Sequence, residues 1–140
     1  MRLFLIIMFT VCLSVNARIG ETLEECNKRY GKATFLKDDV TGAKIYKYSY
    51  KIHEVSIYIY KGKCHKLIFD RIGTIDASKV LEENVTHPIK DFQIKRERGS
   101  STGISDKFYF KMKFTSVCVQ TLEFYKLEEK HVLLQPKPDN

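Results

Sequence analysis

The apolar residues divide the chain into stretches of different period. Leu3 to Leu13 is a continuous apolar run, interrupted by Thr10 alone. Leu23, Cys26 and Tyr30 then fall at i, i+3 and i+7, which is one stripe of an α-helix. After Gly42 the period shortens to two. Tyr46, Tyr48, Tyr50 and Ile52 alternate with Ile45, Lys47, Ser49 and Lys51, and Val55, Ile57 and Ile59 then alternate with Glu54, Ser56, Tyr58 and Tyr60. Lys61-Gly62 predicts a two-residue turn, with a return strand from Lys63 to Arg71 that sets Ile59 opposite Cys64 and Tyr58 opposite His65.

Asp76 is expected to cap a second helix running to about Asn84, with the stripe Ala77, Val80, Leu81 and a stop enforced by Pro88. Residues 89–105 hold a basic stretch, Lys90 to Arg98, followed by Gly99-Ser100-Ser101-Thr102-Gly103, which reads as a mobile loop. Phe108, Phe110, Met112 and Phe114 alternate with Lys107, Tyr109, Lys111 and Lys113, and Val117 to Tyr125 reads as a further strand of open register. The pattern therefore predicts an α+β fold. A short N-terminal helix packs on an antiparallel sheet of about five strands, in the order α-β-β-β-α-β-β.

The first helix carries its own start and stop. Thr22-Leu23-Glu24-Glu25 is a capping box: the Thr22 hydroxyl can accept from the Glu25 amide while the Glu25 carboxylate accepts from the Thr22 amide. Lys28 and Arg29 suit the negative end of the helix dipole, and Gly31 follows as the cap. Eight residues cannot hold a helix alone, so the stripe must dock on the sheet and bury Cys26.

Residues 1–17 have the layout of a cleavable export signal rather than of a folded element. Arg2 supplies a positive start, and Val15-Asn16-Ala17 ends in the small residues that suit cleavage before Arg18. The apolar run would span about 16 Å as a helix, short of a bilayer core of about 30 Å. The expected organisation is a signal at 1–17, one domain at 18–134 and a disordered tail at 135–140, with no transmembrane segment in the mature chain. Its expected location is periplasmic or extracellular.

Composition fits that picture. The whole chain has 140 residues with a net charge of +7, and cleavage would leave 23 basic side chains against 17 acidic ones. Eight Tyr and nine Phe can fill a core, and seven Gly and three Pro are too few for a fibrous or disordered chain. Of the cysteines, Cys26, Cys64 and Cys118 remain after cleavage. No pair has C-x-x-C spacing, so neither a zinc ribbon nor a thioredoxin-like site is expected. If the first helix covers the third strand, Cys26 and Cys64 come together, either as a disulfide or as two buried small hydrophobes, and Cys118 can replace either partner.

Arg18-Ile19-Gly20-Glu21-Thr22, then Cys26, then Arg29-Tyr30-Gly31 resembles the opening of a group of small exported bacterial proteins of unknown function. The likeness continues through Lys61-Gly62-Lys63, the Asp76 to Asn84 helix and Ile94 to Arg98, and it implies export. More loosely, a short capped helix before an antiparallel meander is similar in plan to outer-membrane-assembly lipoproteins of the SmpA/OmlA type and to β-lactamase-inhibitor-protein repeats.

Catalytic and metal-binding signatures do not emerge. The chain has no G-x-S-x-G elbow, H-E-x-x-H pair, P-loop or dinucleotide fingerprint. Cys64 and His65 are adjacent, but neighbours on a strand point to opposite faces. His53, His65, His87 and His131 lack ligand spacing. Neither a catalytic residue nor a cofactor is expected.

Two surfaces offer binding instead. Tyr46, Tyr48 and Tyr50 form an aromatic strand face that is either a second layer of the core or an exposed recognition surface. Lys90, Lys95, Arg96 and Arg98 could meet an anion, or could form a solvated face. The function expected is a non-catalytic binding or envelope-associated domain that uses its sheet face. Its partner would be a protein or an envelope component rather than a nucleic acid. The alternative is a small hydrolase or thiol-dependent enzyme whose site assembles only in three dimensions.

Overall fold

A computed structural model of the chain describes residues 19–50, 53–71, 79–81, 84 and 91–134. The expected export signal, its cleavage point, the Asp76 cap, the Pro88 stop and the tail at 135–140 lie outside the described residues. Within the expected second helix, residues 79–81 and 84 are helical.

Helix α1 (Leu23–Tyr30) has both bonds of its capping box. The Glu25 amide donates to the Thr22 hydroxyl at 3.3 Å, and the Thr22 amide donates to the Glu25 carboxylate at 2.8 Å. The Gly31 amide closes the last turn on the Asn27 carbonyl. Cys26 and Tyr30 form the buried stripe. The helix docks as expected, with Tyr30 packed 5.3 Å from Tyr48 and 6.5 Å from Phe69, centroid to centroid.

The sheet is larger than the sequence pattern suggests. It has eight antiparallel strands rather than about five: β1 (Thr34–Asp38), β2 (Lys44–Tyr50), β3 (His53–Tyr60), β4 (Lys63–Asp70), β5 (Gln93–Glu97), β6 (Ser100–Ile104), β7 (Phe108–Lys113) and β8 (Ser116–Thr121). A helix that the pattern did not predict, α2 (Leu122–Leu134), ends the described residues. The spatial order is β1-β2-β3-β4-β8-β7-β6-β5, two four-stranded meanders joined where β4 pairs with β8.

The missed elements have identifiable causes. Every residue of β1 and of β5 is exposed, so neither edge strand carries a burial signal. The supposed mobile loop, Gly99 to Gly103, is a tight turn leading into β6, whose residues Ser100–Ile104 pair with Lys113–Tyr109 of β7. The expected strand from Val117 to Tyr125 stops at Thr121, because the Thr121 hydroxyl accepts from the Phe124 amide at 3.2 Å and caps α2.

The β3–β4 hairpin turns through Lys61 and Gly62 at φ 49° and 79°, the positive pair that suits a two-residue hairpin turn. Ile59 faces Cys64 as the pattern predicts, but Tyr58 faces Lys66 rather than His65. His65 is the extra residue of a β-bulge. That bulge keeps Cys64 in the core with Leu67 and Phe69.

Tyr48, Val55, Ile57, Cys64, Leu67, Phe69, Phe110, Val117 and Val119 form the core under α1. Leu81 and Phe92 belong to the same cluster. The opposite side of the sheet lies under α2, where Tyr58 packs on Phe124 and Tyr109 stacks on Tyr125 at 4.2 Å. Lys66 crosses to Glu128 at 2.6 Å, a largely buried ion pair that pins the helix to β4.

Candidate functional site: a cationic pocket beside the C-terminal helix

The β3–β4 hairpin and α2 enclose a pocket of about 340 Å³, lined by Tyr60, Lys61, His65, Phe124, Lys126 and Lys130, with Glu123 and Leu127 completing its wall. Its floor is aromatic. The Tyr60, His65 and Phe124 rings lie within 5.8–6.0 Å of one another, centroid to centroid. Lys126 and Lys130 are one helical turn apart on α2, and Lys61 comes from the hairpin turn with its ammonium 5.1 Å from the Tyr60 ring centre. Three ammonium groups against one carboxylate leave the pocket positively charged.

His65 owes its position to the bulge, which turns it toward α2. Its Nδ1 lies 3.1 Å from the Thr121 hydroxyl. That hydroxyl already accepts the Phe124 amide, so its own proton is free for Nδ1, which favours the tautomer carrying its proton on Nε2. Burial pushes the His65 pKa below its ordinary 6.5; the nearby Glu123 carboxylate opposes this, while Lys61 and Lys63 reinforce it. The imidazole is therefore neutral at pH 7.

A consequence for stability follows from that sign. Between the folded pKa and the ordinary value of 6.5 the unfolded chain binds more protons at this position, so stability falls as pH drops below 6.5. Urea unfolding at steps below that pH should show a loss that His65→Gln removes. An identical slope in both proteins would place the titration elsewhere.

The residues singled out from sequence disperse. Tyr48 is buried beneath α1, and its hydroxyl donates to Asn27 Oδ1 at 2.8 Å. Tyr46 is half-buried against Phe35, at 5.5 Å between ring centres. The ring of Tyr50 lies outside the described residues, as does Lys90. Lys95, Arg96 and Arg98 are exposed at the β5 edge and the turn after it, and Lys95 pairs with Glu97 at 2.8 Å. None of the described ones lines the α2 pocket.

No disulfide joins the described cysteines in this structure. Cys26 on α1 and Cys64 on β4 are both fully buried in the same core cluster. Cys118 faces Ile68 and Lys111 on the α2 side, so it cannot replace either partner. Burial pushes its pKa up to about 11. The Cys64 thiol is also raised, by its hydrogen bond to Cys26 and by burial.

Among the described residues no group of three or more His, Cys, Asp or Glu could hold a metal ion. No described helix is long and apolar enough to cross a membrane.

No protein-family model matches the chain. No curated protein matches it either. One solved structure to which it is similar is a cysteine-rich secretory protein from Staphylococcus aureus, at 12% identity and a TM-score of 0.46. The match covers 76% of this chain and 45% of that one, so this chain spans less than half of its neighbour's length.

Proposed function

We propose that the chain is an exported, non-catalytic binding domain that takes an anionic component of the cell envelope in the pocket between the β3–β4 hairpin and α2. The observation that carries this reading is the pairing of an aromatic floor, Tyr60, His65 and Phe124, with Lys61, Lys126 and Lys130 at the rim. Such a site suits a ligand with a flat or apolar body and a phosphate or carboxylate head. Export is supported by the apolar run at Leu3–Leu13 and by the resemblance of the Arg18 to Gly31 opening to exported bacterial proteins. A thiol-dependent enzyme finds less support, because Cys64 turns into the core away from the pocket.

Phenyl phosphate and inorganic phosphate serve as probes, followed by amide and imidazole NMR shifts on the full chain. Phenyl phosphate should shift residues 60–65 and 123–130, bind more tightly than inorganic phosphate and weaken with salt. Lys126→Gln with Lys130→Gln should reduce its affinity about tenfold, the equivalent of roughly 1.4 kcal/mol. Shifts absent from these segments, or an affinity unchanged in the double variant, would sink the assignment.

A further inference from the structure

We propose that Cys26 and Cys64 are joined by a disulfide in the exported protein, locking α1 onto the bulged start of β4. The inference rests on export for its oxidising surroundings; the placement of the sulfurs is independent of it. One cysteine lies on the buried stripe of α1 and the other at the first buried position of β4, and each is 0% exposed. The Cys64 thiol donates to the Lys66 carbonyl at 3.5 Å, and Cys26 is near enough to help raise its pKa.

The backbone around them is fastened as if to hold this register. The Gly20 amide donates to the Cys64 carbonyl and the Cys64 amide to the Glu21 carbonyl, both at 2.7 Å. Two residues on, the capping box starts α1 and presents Cys26 to Cys64. The bulge at His65 gives Cys64 its inward direction. A disulfide asks the two sulfurs to close to about 2.05 Å, with the Cα atoms about 4.4–6.8 Å apart. It would close the loop containing β1, β2 and β3. Cys118 is excluded as a partner because it faces α2 across the sheet.

The chemistry is thiol–disulfide exchange with a disulfide donor such as oxidised glutathione or an exported oxidase. A thiolate of one cysteine attacks the donor, forming a mixed disulfide and releasing one donor thiolate. The second cysteine's thiolate attacks the protein sulfur of that bond, forming Cys26–Cys64 and releasing the other donor thiolate. Two electrons pass to the donor, and the two protons lost by the cysteines protonate its sulfurs. Because both sulfurs are buried in the folded domain, the exchange takes place before α1 docks.

The full chain can be unfolded under reducing conditions, refolded in a glutathione redox buffer, quenched with an alkylating agent and mapped by peptide mass. The expected product links Cys26 to Cys64 and leaves Cys12 and Cys118 alkylated. Reduction should lower the unfolding midpoint by roughly 10 °C, and Cys118→Ala should retain the bond. Alkylation of both Cys26 and Cys64, or a linked peptide containing Cys118, would overturn the proposal. The refolding takes place in vitro, so a failure of export or of anion binding leaves this result unaffected.

Discussion

Gly103→Val should destabilise the domain by about 3 kcal/mol, the upper end of the range for overpacking a tight site. Gly103 on β6 lies opposite Phe110 on β7, and the Phe110 ring covers the space a side chain would occupy. A Cβ at Gly103 would sit 2.1 Å from Cε1, 2.5 Å from Cζ and 2.9 Å from Cδ1 of that ring. The ring has little room to retreat, because it is 1% exposed and packs edge-on against Phe92 at 5.2 Å. The glycine is thus kept for absence of bulk, with the aromatic ring supplying the cover that a side chain would otherwise give. Urea unfolding midpoints would measure the loss. Gly103→Ala with Phe110→Leu should recover part of it, and a midpoint unmoved by Gly103→Val would mean that the ring does not cover β6.

Arg29→Ala should cost about 2–3 kcal/mol, somewhat less than removal of one partner from a fully buried ion pair. The guanidinium of Arg29 grips the Glu21 carboxylate with two donors: Nε reaches Oε2 at 3.2 Å and Nη2 reaches Oε1. The two side chains are only 17% and 15% exposed, so the carboxylate left behind would be poorly hydrated. Arg29→Lys should restore only part of the stability, since a single ammonium cannot reproduce the planar fork. The double change Glu21→Gln with Arg29→Met should cost less than the sum of its parts, as expected for partners in contact. Strict additivity in thermal unfolding would show the pair to be energetically idle.

This pair also gives the opening segment a physical meaning. In Gly20-Glu21-Thr22, Cys26 and Arg29-Tyr30-Gly31, each residue holds α1 in place. Gly20 and Glu21 bond to the backbone of Cys64, Thr22 caps, Cys26 and Tyr30 fill the core, and Arg29 returns to Glu21. The motif that carries the resemblance to exported proteins is, residue by residue, a clasp.

Legibility from sequence followed burial. Strands β2, β3 and β4 were readable because apolar residues recur at every second position through most of each strand, the bulge at His65 being the one break in β4. The chain from Gln93 to Ile104 was not, because β5 is wholly exposed and β6 owes its place to Phe110, an aromatic on another strand. The pocket stayed hidden for a related reason. Val117, Val119 and Thr121 continue a strand rhythm into Leu122, and a reading that ran it on to Tyr125 left no helix on which Lys126 and Lys130 could be one turn apart. The one signal available was Thr121 itself, a hydroxyl at the N-cap position with Glu123 following in the first turn. His65 shows the same limit: alternation placed it opposite Tyr58, and a bulge moved it beside α2.

The seam between β4 and β8 has a consequence for how the chain is assembled. Every other neighbouring pair in the sheet joins consecutive strands, whereas β4 and β8 are separated by the whole second meander. Each meander can zip through local contacts, but the seam must wait for a long loop to close, so it forms late. Until then Leu67 and Phe69 on one half, and Val117 and Val119 on the other, form two complementary edges. Those edges fit a second copy of the chain as well as they fit each other, and a swapped pair would keep every backbone bond of the seam. Dilution during refolding therefore favours closure within one chain, and crowding favours exchange between two.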